Sequence, residues 1–441
     1  MAASNDSDLW VPSRRGLLKA GLGLGAIAVT DPVLAACGVK GSSSGSKAGT
    51  LKVGFVSPRT GPAAGFGEPD GYVLGLARKA LASGLTIGGK KYDVEIIDKD
   101  GQSNPQRGAQ VANDLINGSN IDLMLTTSTP ETVNPVSDAC EAAGVPCIST
   151  VVPWEAWYFG RGAKPTDKKK FKFVYHFCFG VEQFASAYTT VWPQVPTNKK
   201  VGVMWPNDAD GNAIRASLGP LLKKAGYTIV DPGAYSDGTN DFSSQIAKFK
   251  AANCEIFNTF PIPPDFATFW QQAAQQGYKP KIAQIAKTGL FPSQVESLGK
   301  IGVGLAGGAY WTPTYPYTSS LTKVSSKELG DGYTKKTGKQ WNQQLGPSLA
   351  LFDAGAAALQ AVDDPHDKKA LADAIGSLSV DTPIGKLEWG KGPNGNVVAT
   401  PIIGGQWVAA KGGKFPLDFV LCENSSDPKV PIAAKLQPYG G

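Results

Sequence analysis

The chain has 441 residues, of which 42% are hydrophobic and 18% charged, and its formal net charge is +6. These values are typical of a globular protein, and 53 glycines and 32 prolines predict many loops. The densest basic stretch, 164–172, is typical of a solvated loop, so we expect no nucleic-acid partner. Because the chain has two histidines and no CxxC pair, we expect no zinc site and no other cofactor.

The first 50 residues carry the signals of export. Arg14-Arg15 precedes a short apolar run at 17–30, which is below the roughly 20 apolar residues that a membrane span needs. Leu34-Ala35-Ala36-Cys37 follows and resembles a lipobox, in which the cysteine is acylated. We therefore predict a twin-arginine lipoprotein signal peptide over 1–37. Cys37 would attach the protein by lipid to the outer face of the cytoplasmic membrane, an extracytoplasmic or periplasmic location. The alternative is an ordinary signal peptide with a chance cysteine.

Residues 38–50 are rich in serine and glycine and predict a flexible tether. From residue 51 onward, apolar runs alternate with amphipathic segments in two series. In the first series, strands are predicted at 51–57, 92–98, 121–126 and 147–149, and helices at 71–83, 104–117 and 131–143. In the second, strands are predicted at 201–205, 228–230, 255–260 and 281–285, and helices at 214–225, 242–249 and 264–276. This alternation implies parallel sheets covered on both faces, so we predict an α/β fold of two doubly wound parallel-sheet lobes.

The last part of the chain has a different pattern. Helices are predicted at 348–362 and 367–377. Beyond Pro383, the segments 384–389 and 397–408 are predicted as hairpin strands around the turn-forming residues 392–395.

Motifs of enzymes are either missing or misplaced. A G-x-S-x-G pattern at 41–45 lies in the tether, where it has neither a strained turn nor a partner histidine. A G-x-G-x-x-G pattern at 302–307 is followed by a sequence that cannot open a helix, so it does not predict a dinucleotide site. We therefore predict a protein that is not an enzyme and has no catalytic or metal-binding residue.

Polar and aromatic residues follow several predicted strands, at the edge where open α/β sheets place ligands. Ser128 and Thr129 end one strand and begin a helix, so they could bind an anionic group at the positive helix end. The same S-x-x-E sequence also fits a capping box that needs no ligand, and both interpretations can hold at once. The remaining strand-end candidates are Ser149, Thr150, Val151, Trp205, Asp208 and Asp210.

Several segments, in this order and spacing, resemble one family. They include Leu51-Lys52-Val53-Gly54, Thr60 to Gly65, Gly144 to Ser149, Phe242 to Ile246 and Thr382 to Gly385. The resemblance is to the type I periplasmic solute-binding proteins of the branched-chain amino acid class, the leucine/isoleucine/valine-binding family. It implies two lobes that are joined by three crossing segments and close on a small ligand like a hinged trap. The implied boundaries are 51–177 with 309–377 for lobe 1 and 178–308 with 378–441 for lobe 2, and the implied crossings lie near 175–180, 305–311 and 377–382.

The resemblance also implies site residues. The family's serine after the third strand matches Ser128, and its next binding loop matches Ser149, Thr150 and Val151; these positions would hold a ligand carboxylate. Phe66, in the first loop, would cover the ligand. Aromatic residues near the strand ends and crossings, among them Trp205 and Trp311, favour a larger or aromatic ligand.

Two positions depart from the family's pattern. Asp208-Ala209-Asp210-Gly211 stands where amino-acid binders have a tyrosine, and Ala286-Lys287 stands where they have an acidic residue for the ligand's ammonium. If Lys287 lies in the cleft, a second buried ammonium would be repelled, which favours an acid without an amine. The alternative is that Lys287 points to solvent and Asp208 or Asp210 binds the ammonium. Both interpretations stay open.

The function implied is that of a monomeric extracytoplasmic lipoprotein of an ABC importer. It would capture an amino acid or a related small carboxylate and deliver it to a permease that works with an ATPase, both on other chains. The alternative is a ligand-sensing receptor module of the same fold that signals through a partner protein.

Overall fold

The computed structural model describes residues 48–440. The predicted signal peptide, its lipid attachment site Cys37 and most of the tether lie outside these residues. Within the described part, no helix is both long enough and apolar enough to span a membrane.

The strands are, in chain order, β1 (Gly49–Ser57), β2 (Leu85–Ile87), β3 (Lys90–Asp100), β4 (Leu123–Thr127), β5 (Cys147–Thr150), β6 (Val174–Phe177), β7 (Lys200–Met204), β8 (Thr228–Val230), β9 (Ile256–Thr259), β10 (Ile282–Ile285), β11 (Ala306–Ala309), β12 (Ser379–Thr382), β13 (Gly385–Glu388), β14 (Val397–Val398), β15 (Ile403–Ala409) and β16 (Leu417–Leu421). The α-helices are α1 (Asp70–Leu81), α2 (Pro105–Asn113), α3 (Pro130–Ala143), α4 (Trp154–Tyr158), α5 (Val181–Val191), α6 (Ala209–Lys224), α7 (Ser243–Ala251), α8 (Pro263–Gln275), α9 (Pro292–Ser297), α10 (Ser326–Thr337), α11 (Leu345–Gln360) and α12 (Lys368–Gly376).

Two mostly parallel sheets organise these elements. The first sheet has the order β14-β6-β5-β4-β1-β3-β2, and its strands pair in parallel except for β2. The second sheet has the order β16-β15-β11-β10-β9-β7-β8, in which β15 and β16 are antiparallel additions at one edge. This arrangement confirms the predicted α/β class with two lobes, each built on one sheet.

The core follows from the parallel pairing. A strand that is central in a parallel sheet is covered on both faces, so it is apolar along its length rather than alternating. Accordingly, every residue of β4, β5, β6, β9 and β10 is buried. Helix α11 lies against β4 and β5 and is itself buried over most of its surface.

The predicted hairpin between 384–389 and 397–408 is wrong. β13 pairs instead with β12, the strand that precedes it, in an antiparallel arrangement that places Thr382 opposite Gly385. β14 adds in parallel to β6, and β15 pairs with β11 and β16. The turn residues at 392–395 therefore connect β13, which pairs with β12 in a small two-stranded sheet, to β14, which belongs to the first sheet.

Within residues 48–440, the chain passes between the two sheets three times. The first passage follows β6, because α5 lies against β15 of the second sheet. The second follows β11, after which α10 and α11 return to the first lobe. The third lies between Val398 of β14 and Ile403 of β15, later in the chain than the segment 377–382 that was expected.

Candidate functional site

A cavity lies between the two sheets, beside the loops that follow the carboxyl ends of their parallel strands. It contains about 530 Å³ of space that protein atoms do not occupy, part of which is open to solvent. Its residues are Phe66, Ser128, Thr129, Val151, Pro153, Phe179, Phe184, Asp210, Phe260, Ala286, Lys287, Leu290, Gly308, Tyr310 and Ile402. Such a lining, mainly apolar with a few polar groups, is typical of a small-molecule site.

In the first lobe, the polar part of the cavity wall lies at the start of α3. Thr129 is the residue before the first turn, and its side chain makes no hydrogen bond to the helix backbone. The N-cap is thus Thr129 and not Ser128, so the capping box of Ser128 and Glu131 considered above is not formed. The Thr129 hydroxyl is buried without a hydrogen-bond partner, and the Ser128 hydroxyl bonds only to that of Thr127, at 2.7 Å. Both hydroxyls thus stay near the positive end of a 14-residue helix, where an anion is favoured.

The polar side contributed by the second lobe is a cluster of three charged residues. The Lys287 Nζ atom lies 2.8 Å from Asp208 Oδ2 and 3.0 Å from Asp210 Oδ2. Asp208 also begins α6, because its Oδ1 accepts a hydrogen bond of 2.6 Å from the Gly211 backbone N–H. Lys287 therefore does not point to solvent, and two carboxylates offset its charge.

Burial alters the protonation of this cluster. Burial raises the pKa of the Asp210 carboxyl to about 7. The positive charge of Lys287 acts to lower this pKa, whereas the negative charges of Asp208 and Glu131 act to raise it. Burial lowers the pKa of Lys287, but the attraction of Asp210 and Asp208 outweighs this and holds that pKa well above its ordinary value. Lys287 is therefore charged at neutral pH, while Asp210 is divided between its two forms.

An aromatic pair closes one side of the cavity. Phe66, from the loop after β1, meets Phe291, from the loop after β10, edge to face with a centroid separation of 4.9 Å. A Cβ atom on Gly65 would lie 3.2 Å from the Phe291 ring, so glycine permits this close approach. The contact joins the two lobes beside the cavity, which Phe66 lines.

Two lining residues have backbone angles that L-residues rarely adopt. Val151 has φ 63° and Lys287 has φ 45°. For a β-branched residue such as valine, a positive φ is a marked outlier. Strained backbone of this kind tends to occur where a site needs a particular side-chain or amide direction.

Six of the predicted site residues line this cavity: Phe66, Ser128, Thr129, Val151, Asp210 and Lys287. Asp208 lies behind them and bonds to Lys287. The other four predicted site residues do not line the cavity, because the polar side-chain atom of each is hydrogen-bonded to a buried partner inside a lobe. Ser149 bonds to His176, Thr150 to the Phe177 carbonyl, Trp205 to Asn258 and Trp311 to Ser326.

Sequence reasoning missed most of the apolar wall, which includes Phe179, Phe184, Phe260 and Ile402. Phe260 could have been found, since it directly follows β9 at the same sheet edge as Lys287. Phe179 and Phe184 lie on the passage from β6 into α5, and that helix was not predicted.

Comparisons with known proteins agree with this architecture. A family model described as periplasmic binding protein matches residues 50–414. The chain is similar to Leu/Ile/Val-binding protein homolog 8 of Brucella abortus, with 23% identity over 374 residues that cover 82% of this chain and 89% of that relative. A shorter match, to homolog 3 of Brucella melitensis, has 24% identity over 206 residues and covers 47% of this chain and 53% of that relative.

Two solved structures have the same fold. A leucine-binding protein from Thermotoga maritima has a TM-score of 0.68 at 18% identity and covers 84% of this chain and 97% of that one. A solute-binding protein of an ABC transporter from Rhodopseudomonas palustris, in complex with 3,4-dihydroxybenzoic acid, has a TM-score of 0.64 at 18% identity. That match covers 86% of this chain and 99% of the other.

Proposed function

The chain belongs to the periplasmic binding protein family, and from this premise we propose that it is the extracytoplasmic ligand-binding component of an ABC importer. It is a member of a family of binding proteins and not of enzymes. Its ligand is an amino acid or a related small carboxylate with an aliphatic or aromatic body, captured between the lobes and delivered to a permease.

One observation carries this proposal, namely the polarity of the cavity. The start of α3, with the free Thr129 hydroxyl, suits a carboxylate on the first lobe. Aromatic and aliphatic side chains form the walls, and the Lys287 cluster forms the polar side of the second lobe. A small molecule with one anionic end and an apolar body fits these surroundings.

The similar proteins support the same ligand class. One is a leucine-binding protein and another is in complex with 3,4-dihydroxybenzoic acid. Both ligands carry a carboxylate on an apolar body. The other groups of these two ligands differ, so the carboxylate is the feature that we propose for the ligand of this chain.

We further propose that Cys37 anchors the protein to the outer face of the membrane, with 38–50 as a tether. A flexible tether keeps the binding lobes near a permease and raises their effective concentration there. A permease and an ATPase encoded beside this chain would support the importer over a receptor that signals through a partner protein.

The test is binding by the purified protein, measured by titration calorimetry and thermal shift. The panel is leucine, phenylalanine, benzoate and 3,4-dihydroxybenzoate, with leucinamide and benzyl alcohol as matched compounds that lack the carboxylate. At least one carboxylate should bind and raise the melting temperature, and its matched neutral compound should not.

Two variants locate the carboxylate. Thr129→Val keeps the side-chain shape and removes the hydroxyl, so affinity should fall about tenfold or more, as a hydrogen bond to a charged group is worth roughly 1.5–3 kcal/mol. Thr268→Val is the matched control, because the Thr268 hydroxyl bonds only within α8. Equal binding of the carboxylates and their neutral analogues would contradict the proposal.

A further inference from the structure

Two cysteines of the first lobe lie at the two ends of one short connection. Cys140 belongs to the last turn of α3, and Cys147 is the first residue of β5. Backbone geometry fixes the shape of this connection, because Gly144 ends the helix with φ 67° and the Val145 N–H donates to the Cys140 carbonyl at 2.9 Å. The chain therefore turns directly from the end of the helix onto the neighbouring strand.

Both cysteine side chains belong to the same hydrophobic core. Successive residues of a strand point to opposite faces of a sheet. In β5, Ile148 packs in the core that contains α11, whereas Cys147 packs in the core that contains α2 and α3. Cys140 lies in this second core as well, and both cysteines are 0% exposed. The other core contains the remaining cysteines of the described residues, which are Cys178, Cys254 and Cys422.

The thiols of Cys140 and Cys147 lie within hydrogen-bonding reach of each other. Burial raises the pKa of the Cys140 thiol well above its ordinary value, and the neighbouring Cys147 acts in the same direction. The guanidinium of Arg161, whose side chain is 1% exposed, acts in the opposite direction but does not offset burial. A thiol that is buried and protonated is unreactive. A bond between the two sulfurs would therefore form while the protein folds, before this core closes.

We propose that Cys140 and Cys147, which are thiols in this structure, form a disulfide bond in the exported protein. This inference rests on the extracytoplasmic location that is part of the proposed function, because disulfides form and persist outside the cytosol. A disulfide needs two side chains that leave neighbouring backbone segments and point toward each other. Cys140 and Cys147 leave adjacent elements and point into one core, so the fold brings them together.

The reaction is an exchange with the disulfide of an oxidant, either a protein disulfide or glutathione disulfide. The thiolate of one cysteine attacks a sulfur of the oxidant, forms a mixed disulfide and displaces one thiolate of the oxidant. The thiolate of the second cysteine then attacks the first cysteine's sulfur and displaces the other half of the oxidant. The two cysteines are oxidised, the oxidant is reduced to two thiols, and these thiols take up the two protons that the cysteines lose.

The bond would join the two elements that carry the first lobe's part of the cavity wall. Thr129 directly precedes α3, Val151 directly follows β5, and both residues line the cavity. Cys140 and Cys147 lie toward the opposite ends of the same helix and strand. The disulfide would therefore prevent α3 from separating from β5 and hold the start of the helix beside the strand end at the ligand site.

The experiment detects the bond chemically. The purified protein is unfolded and reduced with dithiothreitol, refolded in a mixture of glutathione and glutathione disulfide, then unfolded again and alkylated with N-ethylmaleimide. A protease that cuts after glutamate separates the two cysteines at Glu141 and yields the fragments 132–141 and 142–155. Mass spectrometry should find these two fragments joined and without the alkyl label, and they should separate on reduction.

Variants assign the bond to this pair. Cys140→Ala removes one partner, so Cys147 should become fully alkylated. Cys254→Ala is the matched control, since Cys254 is a buried cysteine of the second lobe, and this variant should keep the joined fragments. The oxidised parent should melt about 5 °C or more above its reduced form, because the cross-link restricts the unfolded chain. Cys254→Ala should keep this difference in melting temperature, and Cys140→Ala should lose it.

The outcomes separate the disulfide from the proposed function. Parent fragments that both carry the alkyl label, or a Cys147 that stays unlabelled in Cys140→Ala, would overturn the disulfide. Ligand binding is measured on the same refolded protein. Binding of a carboxylate without joined fragments overturns the disulfide and leaves the proposed function intact. Joined fragments in a protein that binds no carboxylate of the panel support the disulfide and contradict the proposed function.

Discussion

Replacement of Lys287 by methionine should destabilise the protein strongly and in a pH-dependent way. The variant leaves Asp208 and Asp210 buried without the cation that both face at 2.8 and 3.0 Å. Removal of one partner from a buried ion pair costs about 3–5 kcal/mol, which is the loss expected at pH 8. Part of that loss should disappear at lower pH, because Asp210 can then take up a proton.

The pH dependence can be worked out from linkage. In the parent protein the pKa of Asp210 is about 7, above its unfolded value, so stability is lost as pH rises. From pH 6 to pH 8 this loss is about 1.4 kcal/mol. Without Lys287 the pKa moves further upward, so the corresponding loss rises towards the limit of about 2.7 kcal/mol that two pH units allow. The deficit of Lys287→Met should therefore be smaller at pH 6 than at pH 8, by up to about 1.3 kcal/mol.

Urea unfolding followed by tryptophan fluorescence at pH 6 and pH 8 measures both quantities. The double variant Lys287→Met/Asp210→Asn should recover much of the loss, because it removes one buried charge. Lys327→Met is the control, since Lys327 pairs with Asp331 on an exposed helix surface. A deficit that equals that of the control, or that does not change with pH, would refute the assignment of Lys287 as counter-ion.

Three further predictions concern other parts of the molecule. Burial raises the pKa of Asp70 to about 7, so the free energy of unfolding falls as this carboxyl ionises with rising pH. Asp70→Asn should reduce the loss of stability between pH 5.5 and pH 8 in urea titrations, and an unchanged dependence of stability on pH would contradict this. Phe66→Ala removes the contact with Phe291 beside the cavity, worth about 0.5–1.5 kcal/mol beyond its buried area, so ligand affinity should fall roughly tenfold in calorimetry. Cys37→Ala should move the protein from the membrane fraction to the soluble fraction with unchanged ligand affinity; continued membrane attachment would exclude Cys37 as the anchor.

Local sequence pattern was sufficient for most helices and strands, since their periodicity depends on nearby residues. The helix predicted at 131–143, for example, is observed as α3 at Pro130–Ala143. Strand partners depend on distant segments, and β14 has only two residues, too few to specify its pairing with β6. Helix α10 was missed, although Ser325 and Glu328 form a capping box that marks its start.

The limits for the site have a similar cause. The rule that ligands bind at the carboxyl ends of strands indicated Ser128, and the comparison with the family's pattern indicated Lys287; both residues line one cavity. The strand-end rule could not predict which aromatic rings line the cavity, because the direction of a tryptophan ring depends on the hydrogen-bond partner of its N–H group. The ring N–H groups of Trp205 and Trp311 have partners within the lobes. Lys287 and Asp208 were treated as alternatives, but residues 79 positions apart in sequence are bonded to each other.

The division of the polar groups between the lobes gives a physical reason for selectivity. Under the proposed function, the start of α3 in the first lobe favours a carboxylate, and Lys287 with Asp208 and Asp210 provides the polar groups of the second lobe at the same cavity. A ligand whose carboxylate meets α3 and whose remaining groups meet this cluster would interact with both lobes at once. A ligand can shift a protein between conformations only by its differential affinity for them. A ligand that contacts both lobes should therefore stabilise most the arrangement in which both lobes line one cavity.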